Sequence, residues 1–400
     1  MQKKIAVLGV GGRGHRFANA ISDSHLAEVV AVAEPDDGCR QEFCDKFRIN
    51  SEQTYYDWQS FVKADSQCDA VVITTMDREH AEPAVACLDK GYDVLLEKPM
   101  ATTLDDCRAI EAAQRRTGGI VSICHSLRYQ RATRKAKELI DNGTIGRLIT
   151  LDLLEPVKPW HQVVSYVRGK WANSESSSFM LLAKSCHDLD YLAYLTEKPC
   201  NYVSSFGALT WFRPENAPAG APLYCSEGCP AEFECPYASW KSYPETDVKK
   251  TPLDRCVYHC DNDAVDHQVV LLQFADDITA TFTMTAFGRP GGRRLRAHGT
   301  EGELLMYGAE NRIELRKFPD RANKPEQNNA DTIHFDLAKE TGGHGGGDQR
   351  ITLNWLRALQ SRDQSFILTD PQESLRTHTI VFATEKARLE NRVVALTEMD

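Results

Sequence analysis

The sequence lacks the features that would assign it to several whole classes of protein. No apolar run approaches the ~20 residues that a membrane helix needs, and the stretch after Met1 reaches only Val10, too short for a secretory signal. Lys and Arg number 47 against 57 Asp and Glu, a formal net charge of −10, and no basic stripe alternates with aromatics. We therefore expect a cytoplasmic protein with neither a membrane nor a nucleic acid as partner.

The sequence also lacks the tight C-x-x-C pairs that are typical of zinc ribbons. Most of its 13 cysteines are scattered through apparently regular elements, as reduced thiols are in cytosolic enzymes. The exception is a proline-containing insert at about 214–262 with little apolar periodicity, which could use a metal to hold it together. Three interpretations stay open: an iron–sulfur cluster, free or packed thiols, and a structural zinc bound by Cys225, Cys229, Cys235 and Cys260.

Strands and helices alternate through the first 125 residues. The chain is long enough for two domains, since single cores stop growing at roughly 250–300 residues. Alternation of this kind predicts an α/β fold with a parallel, doubly wound sheet. The predicted strands are 4–9, 28–33, 70–74, 93–97 and 120–124, and the predicted helices are 14–21, 82–90 and 104–116.

A glycine-rich turn follows the first strand and opens the first helix, in the pattern Gly9-x-Gly11-x-x-Gly14. Glycines there let backbone amides approach a pyrophosphate at the positive end of the helix. Glu34 ends the second strand 20 residues after Gly14, where dinucleotide folds place the acid that binds the ribose hydroxyls. Because that carboxylate would repel a 2′-phosphate, the sequence favours NAD over NADP.

The pattern changes after about His125. Residues 269–274 and 278–287 read as a hairpin, and in its second strand threonines alternate with apolar residues. This period of two predicts an antiparallel sheet with one covered face. The threonine face meets either solvent or a partner subunit. We expect two domains, 1–125 and 126–400.

Several short motifs are spread over nearly the whole chain. They are Thr74-Thr75, His80, Glu97-Lys98-Pro99, His125-Ser-Leu-Arg128-Tyr129, Ile145-Gly146, Gly299-Thr-Glu-Gly302 and the variant form Lys184-Ser-Cys-His187-Asp188-Leu-Asp190. Together they resemble the glucose–fructose oxidoreductase/inositol dehydrogenase/MocA family. The resemblance implies an N-terminal Rossmann domain, a C-terminal α+β domain with an open, mostly antiparallel sheet, and NAD(P)-dependent oxidoreduction of sugars, cyclitols or their derivatives.

Removing a hydride from a secondary alcohol requires a base for the hydroxyl proton and a cation beside the oxygen. The resemblance assigns these tasks to His187 and Lys98. Many family members carry Asp four residues before this His, where the present chain has Ala183, so Lys184 is a second candidate base. A lysine close to another ammonium can become a neutral amine.

The remaining site residues fall into two groups. For cofactor binding, the sequence and the resemblance together indicate Gly9, Gly11, Gly12, Arg13, Gly14, Glu34, Thr74, Thr75, His80, Glu97 and Lys98. Substrate contacts are expected from an aromatic and polar loop around Trp160, from a glycine-rich loop at 342–348 and from the family motifs; the residues are Arg128, Tyr129, His161, Tyr166, Arg168, Asp188 and His344.

We therefore expect an NAD-dependent oxidoreductase acting on a secondary alcohol of a sugar, glycoside or cyclitol, in a homodimer or homotetramer. Two alternatives stay open. One is a redox-neutral glycoside hydrolase that oxidises carbon 3, eliminates the aglycone, adds water and returns the hydride, with Tyr129, His161 or His344 as extra bases. The other is a non-catalytic NAD-linked sensor, against which the presence of both Lys98 and His187 argues.

Overall fold

The structure is a computed structural model that describes residues 2–64, 66–289, 292–318, 332–338 and 342–400. Contacts within the chain divide it into two compact units. The first unit comprises Met1–Lys135 with Ala338–Thr379, and the second comprises Ala136–Leu337 with Ile380–Asp400. Whereas the sequence suggested one boundary at residue 125, the chain returns to the first unit near its C-terminal end.

The first unit contains a six-stranded parallel sheet with the strand order β3-β2-β1-β4-β5-β6. This is the order of the Rossmann fold, and it confirms the predicted doubly wound sheet. All residues of β4 and β5 are buried, as expected for strands covered on both faces. The strands are β1 (Lys3–Leu8), β2 (Ala27–Ala33), β3 (Thr54–Tyr55), β4 (Ala70–Ile73), β5 (Asp93–Leu96) and β6 (Val121–Ile123).

Capping residues mark both ends of α5 (Leu104–Thr117). Thr103 caps α5 by accepting a hydrogen bond from the backbone N–H of Asp106 at 3.1 Å, and Gly118 ends it at a φ of 68°. The helices are α1 (Gly12–Ser24), α2 (Asp37–Phe47), α3 (Trp58–Lys63), α4 (Ala81–Asp89), α5 (Leu104–Thr117), α6 (Arg131–Asp141), α7 (Pro159–Gln162), α8 (Met180–Ala183), α9 (Cys186–Thr196), α10 (Ser239–Ser242), α11 (Gly347–Ser361) and α12 (Pro371–Glu390).

Helix α11 explains why the chain returns to the first unit. Its apolar side chains Ile351, Trp355 and Leu356 belong to the same buried cluster as Ile5 on β1 and Phe17 on α1. Trp355 is completely buried there. Covering one face of the Rossmann sheet thus depends on residues from the C-terminal part of the chain.

The second unit contains a nine-stranded sheet in the order β14-β13-β12-β11-β7-β10-β9-β8-β15. The pairing of β7 with β10 is parallel, and the other pairings described are antiparallel. This confirms the mostly antiparallel prediction. The strands are β7 (Leu148–Pro156), β8 (Cys200–Ala208), β9 (His267–Phe274), β10 (Thr279–Thr285), β11 (Arg294–Gly299), β12 (Gly302–Tyr307), β13 (Arg312–Lys317), β14 (Thr332–Asp336) and β15 (Val394–Ala395).

The hairpin of β9 and β10 has the two faces that its alternation predicted. Phe282 and Met284 are buried, whereas Thr281 and Thr283 lie on the opposite face, where they pair with Leu271 and Val269. These two partners are 52% and 42% exposed. The threonine face therefore also carries exposed apolar side chains.

Candidate active site

The glycine turn between β1 and α1 has one crowded side and one open side. A Cβ on Gly9, whose φ is +84°, would lie 2.8 Å from the Thr74 carbonyl carbon, and a Cβ on Gly14 would lie 2.3 Å from the Gly9 oxygen. A Cβ on Gly11 or Gly12 would meet nothing within 4 Å, and no side chain caps α1. The first N–H groups of α1 therefore face open space, which suits a pyrophosphate.

Glu34 lies directly after β2, beside this turn. One carboxylate oxygen accepts a hydrogen bond from the Val10 N–H at 2.9 Å, and the other accepts from the Asp36 N–H at 3.1 Å. These bonds hold a negative charge at the carboxyl end of the strand, where a Rossmann fold binds the adenosine ribose. The arrangement fits NAD and would repel a 2′-phosphate.

Three more predicted cofactor residues bind backbone groups at the carboxyl ends of β4 and β5. The Thr74 hydroxyl donates to the Gly9 carbonyl, and the Thr75 hydroxyl donates to the Glu79 carbonyl at 2.8 Å. The buried His80 ring lies 2.6 Å from the Pro99 oxygen through Nδ1 and 3.2 Å from the Thr75 oxygen through Nε2. Through these contacts the three side chains hold the turns that follow β4 and β5. These turns lie at the carboxyl edge of the sheet, where a Rossmann fold binds its dinucleotide.

Arg13 binds two carboxylates of the first unit. Its Nε donates to Glu97, while Nη1 and Nη2 donate to the two oxygens of Asp348 at 2.7 and 3.1 Å. Asp348 is completely buried and also receives bonds from the Ser126 hydroxyl at 2.7 Å and the His344 ring at 2.9 Å. Burial alone would raise the pKa of Asp348, but His344 and Arg13 hold it well below the usual range.

This network gives Arg13, Glu97 and His344 structural contacts that the sequence did not suggest. We expected Arg13 and Glu97 beside the cofactor and His344 beside the substrate. A buried carboxylate needs a cation and hydrogen-bond donors. For Asp348, Arg13 is the cation, and the His344 ring is a further hydrogen-bond partner. Sequence reasoning missed the pairing because Asp348 lies 335 residues after Arg13.

Arg128 and Tyr129, expected at the substrate, also bind within the first unit. Arg128 donates to the Leu368 carbonyl at 3.0 Å and to Glu373 at 2.9 Å, while the Tyr129 hydroxyl accepts from the Leu368 N–H at 2.9 Å. Both side chains are almost fully buried, and burial raises the pKa of Tyr129. Their described contacts hold the segment before α12, and a substrate contact stays a prediction.

In the second unit, the predicted catalytic helix begins in a buried cluster of charges. Lys184 donates to Glu155 at 2.9 Å. Arg293 lies 3.1 Å from the other oxygen of Glu155 and binds Asp188 through Nε at 2.5 Å and Nη2 at 3.1 Å. His187, next to Asp188 on α9, is only 3% exposed. The two cations and two carboxylates balance one another at the start of α9.

The two carboxyl groups respond differently to this environment. For Glu155, burial opposes ionisation, but Arg293 and Lys184 hold the pKa at about 2. For Asp188, burial dominates and raises the pKa against the opposing pull of Arg293, with the Glu155 charge adding to the rise. Lys184 therefore faces a fully ionised partner.

Sequence reasoning missed Glu155 and Arg293, although one signal for Glu155 was present. Along β7, the side chains of Leu151, Leu153 and Glu155 share the buried face of the strand. When a carboxylate takes the next position in a series of buried apolar residues, it must be buried as well. Such a carboxylate predicts a cationic side chain buried beside it. Arg293 gave no comparable signal, because it lies outside any regular element.

The aromatic loop after β7 forms a chain of neighbouring rings. Trp160 stacks on His161 with ring centres 5.7 Å apart, His161 lies 5.9 Å from Tyr166, and Tyr166 lies 6.3 Å from Trp171. Residues Val163–Val167 form a π-helical turn, a feature that is frequent at functional sites. The positive charge of a protonated His161 also acts on Glu155. The structure thus brings His161 and Tyr166 together beside the charged cluster.

Arg168, the remaining predicted substrate residue, points into the cysteine insert. It donates to the carbonyls of Arg255 and Tyr237 at 2.6 and 2.9 Å and to the Cys225 sulfur at 3.5 Å. The cysteines are free thiols. Within the described ranges, no group of three or more His, Cys, Asp or Glu side chains is placed to hold a metal ion, so the expected zinc is not supported.

Replacing Asp348 by Asn should destabilise the protein, because Arg13 would lose its buried partner. We expect the free energy of unfolding at pH 7 to fall by about 3–5 kcal/mol, measured by denaturant titration. The pKa of Asp348 is depressed, so its contribution is complete above about pH 4 and is lost as the pH falls further. The difference between wild type and variant should therefore shrink at pH 3.

Asp105→Asn is the matched control, since that carboxylate is 91% exposed and pairs only at the surface with Arg108. Its effect should stay within about 0.5 kcal/mol. Equal stabilities of Asp348→Asn and wild type at pH 7 would contradict the structural role of the network.

Comparison with known proteins gives matches along the whole chain. YteT of Bacillus subtilis is 26% identical over 315 residues, 71% of each chain. Inositol 2-dehydrogenase of Salmonella typhimurium is 36% identical over 152 residues, which cover 37% of this chain and 44% of that protein. The chain thus aligns with less than half the length of this second relative.

Two solved structures cover almost the entire chain. One is an oxidoreductase from Agrobacterium radiobacter in complex with NAD+, L-tartaric acid and magnesium, with a TM-score of 0.75, 16% identity and 100% of both chains covered. The other is apo scyllo-inositol dehydrogenase from Lactobacillus casei, with a TM-score of 0.70, 16% identity, and 99% and 98% covered. At these identities the likeness shows the fold alone.

Models of protein families cover both halves of the sequence. Residues 3–125 match the NAD-binding Rossmann domain of the Gfo/Idh/MocA oxidoreductases, and residues 137–396 match their C-terminal alpha/beta domain. No helix in the described part of the chain has the length and apolar character to cross a membrane. These models match most of the chain, in agreement with the order of the motifs and with the two sheets. The chain is therefore an oxidoreductase of the Gfo/Idh/MocA family.

Proposed function

We propose that the protein oxidises a secondary alcohol of a sugar, glycoside or cyclitol with NAD. The observation that carries the proposal is the charge-balanced cluster of Glu155, Lys184, Asp188 and Arg293, which fixes the first turn of α9 where His187 lies. A relative that matches part of the chain is an inositol 2-dehydrogenase, and another is a 1,5-anhydro-D-fructose reductase of Ensifer adhaerens. Both names support a polyhydroxylated substrate.

In this proposal NAD, held by the glycine turn and Glu34, supplies the hydride acceptor. The imidazole of His187 accepts the hydroxyl proton, and the ammonium of Lys98 donates a hydrogen bond to the oxygen as negative charge develops. Lys184 is the weaker candidate for the base. The described contact of its amine is a hydrogen bond donated to the Glu155 carboxylate at 2.9 Å, whereas a base has to accept a proton from the substrate.

The ring chain from Trp160 to Trp171 supports a cyclic polyol as substrate. Aromatic faces stack on the C–H faces of sugar rings, while neighbouring polar groups select the hydroxyls. Trp160 is 57% exposed, and His161 and Tyr166 follow it in the chain of contacts. We assign this loop to substrate recognition.

We further propose a cytoplasmic homodimer or homotetramer that associates through the threonine face of the second sheet. Phe206 on β8 pairs with Val269 on β9, and Leu271 lies on the same face. Phe206 is 62% exposed. A contiguous apolar face of this kind is typical of a subunit interface.

The reaction class is tested by incubating the protein with NAD and matched pairs of free sugars, cyclitols and aryl glycosides while following NADH and phenol together. We expect NADH to accumulate with at least one polyol, without release of phenol. Phenol without NADH would establish the redox-neutral hydrolase instead. NAD binding without either product across the panel would favour a sensor.

Replacing Glu34 by Ala should weaken NAD binding and reduce the preference for NAD over NADP, because the carboxylate that repels a 2′-phosphate is removed. Both dissociation constants can be measured by fluorescence titration. Asp36→Ala is the control, since Asp36 caps α2 through a 2.8 Å bond from the Cys39 N–H and should leave the preference unchanged. An unchanged preference in Glu34→Ala would overturn the ribose assignment.

Replacing His187 by Ala should lower kcat by roughly 100- to 10,000-fold and remove a pH dependence near neutrality. Lys98→Met should lower kcat by about 100- to 1000-fold through loss of charge at the oxygen. Neither variant should abolish NAD binding. Added imidazole should restore part of the activity of His187→Ala only, since it replaces a proton acceptor; wild-type turnover in His187→Ala would exclude this base.

A further inference from the structure

Four cysteines of the insert between β8 and β9 line one small cavity in the second unit. They are Cys225, Cys229, Cys235 and Cys256. The walls between them include Tyr237, Tyr258 and Val257, so the surroundings are largely apolar. Cys260, which the sequence had suggested as the fourth ligand, does not line this cavity; its thiol donates to the Cys256 carbonyl at 3.4 Å.

The guanidinium of Arg168 lines the same cavity and is incompletely satisfied. Arg168 is 6% exposed, and the acceptors that it meets are the carbonyls of Arg255 and Tyr237 and the Cys225 sulfur. Its Nη1 is buried and has no hydrogen-bond partner among the described residues. A buried guanidinium with an unused N–H donor is stabilised when an anionic group lies beside it.

Glu232 is the alternative source of that negative charge, because its half-buried side chain also lines the cavity. No ion pair joins it to Arg168 within the described ranges. If the cysteines bound a metal centre as thiolates, the Cys225 sulfur that Arg168 contacts would carry the negative charge. Hydrogen bonds from N–H groups to such sulfurs are usual in metal–thiolate sites.

The cavity geometry distinguishes two kinds of metal centre. Four sulfurs around one zinc lie about 2.3 Å from the metal, hence about 3.8 Å from one another. No three ligand side chains in the described chain have a single-ion arrangement. An iron–sulfur cube stands between its four cysteines and keeps their sulfurs further apart, so four thiols around one cavity suit it better.

We propose that Cys225, Cys229, Cys235 and Cys256 bind a [4Fe–4S] cluster and that Arg168 donates hydrogen bonds to its sulfurs. Each thiol loses its proton as its sulfur binds iron, and the two ferric ions, two ferrous ions and four sulfides of the core enter from solution with no change of oxidation state. The insert contributes Cys256, Val257 and Tyr258 to a small apolar cluster that also takes Val163, Val167 and Ala286 from outside the insert. The iron–sulfur cluster would add a second set of bonds that hold the insert together, as structural metals do in segments with little core.

The test uses the full-length protein, purified without oxygen, with its thiols reduced and the reductant removed, and then reconstituted with equal amounts of ferric and ferrous iron and with sulfide. Iron, acid-labile sulfide and zinc are then measured per chain, with electron paramagnetic resonance after reduction by dithionite. We expect about four iron and four sulfide per chain. One tightly held zinc per chain, or thiols that take up neither metal, would overturn the proposal.

Two matched variants test which cysteines bind. Cys256→Ser should lose the four-iron cluster, whereas Cys260→Ser should keep it, although the two positions are only one helical turn apart in sequence. The reverse result would overturn the ligand assignment.

Arg168→Gln tests the role of Arg168 while all four proposed cysteine ligands of the cluster remain in place. The variant should keep the iron and sulfide content, but the reduction potential of the cluster should become more negative, because a positive donor near the sulfurs is removed. A potential equal to that of wild type would overturn the role of Arg168.

Discussion

The bidentate pair between Arg13 and Asp348 joins the dinucleotide turn to a helix 335 residues later. Asp348 is completely buried, and Arg13, Ser126 and His344 stabilise its charge by donating hydrogen bonds to it. Arg13 in turn binds Glu97, the residue before Lys98. The position of the predicted active-site lysine in the first unit therefore depends on a salt bridge to the C-terminal part of the chain.

The second unit uses the same principle. Glu155 and Asp188 enter the core with Lys184 and Arg293 as partners, and together they fix the start of α9. In the proposed reaction His187 accepts the hydroxyl proton, which requires a defined orientation of its ring. The charged cluster lies at the start of the same helix, in a chain that has Ala183 where many members of the family are expected to carry Asp.

Local signals were sufficient for much of the fold. The glycine turn, the strand alternation and the caps of α5 depend on residues close in sequence, and the structure has these elements near their predicted places. The return of α11 to the first unit could not be predicted, because its amphipathic pattern shows only that one face is covered and not by which part of the chain.

Among the site residues too, those fixed by nearby sequence could be predicted and those fixed by distant contacts could not. Gly9, Gly14 and Glu34 could be placed because their spacing follows from the geometry of one turn and two strands. The partners of Arg13, Arg128 and Arg168 could not, since an arginine can reach a carboxylate, a carbonyl or a ligand with equal ease. Only the three-dimensional fold decides among these partners, and here the described contacts lie within each unit.

In the proposed reaction a hydride passes from a carbon of a cyclic polyol to NAD. The most direct measurement uses carbon-deuterated myo-inositol and glucose, with mass spectrometry of the reduced cofactor. We expect NADH that carries one deuterium from the polyol carbon. NADH without the label, or no reduction of NAD by any deuterated or unlabelled polyol, would contradict it.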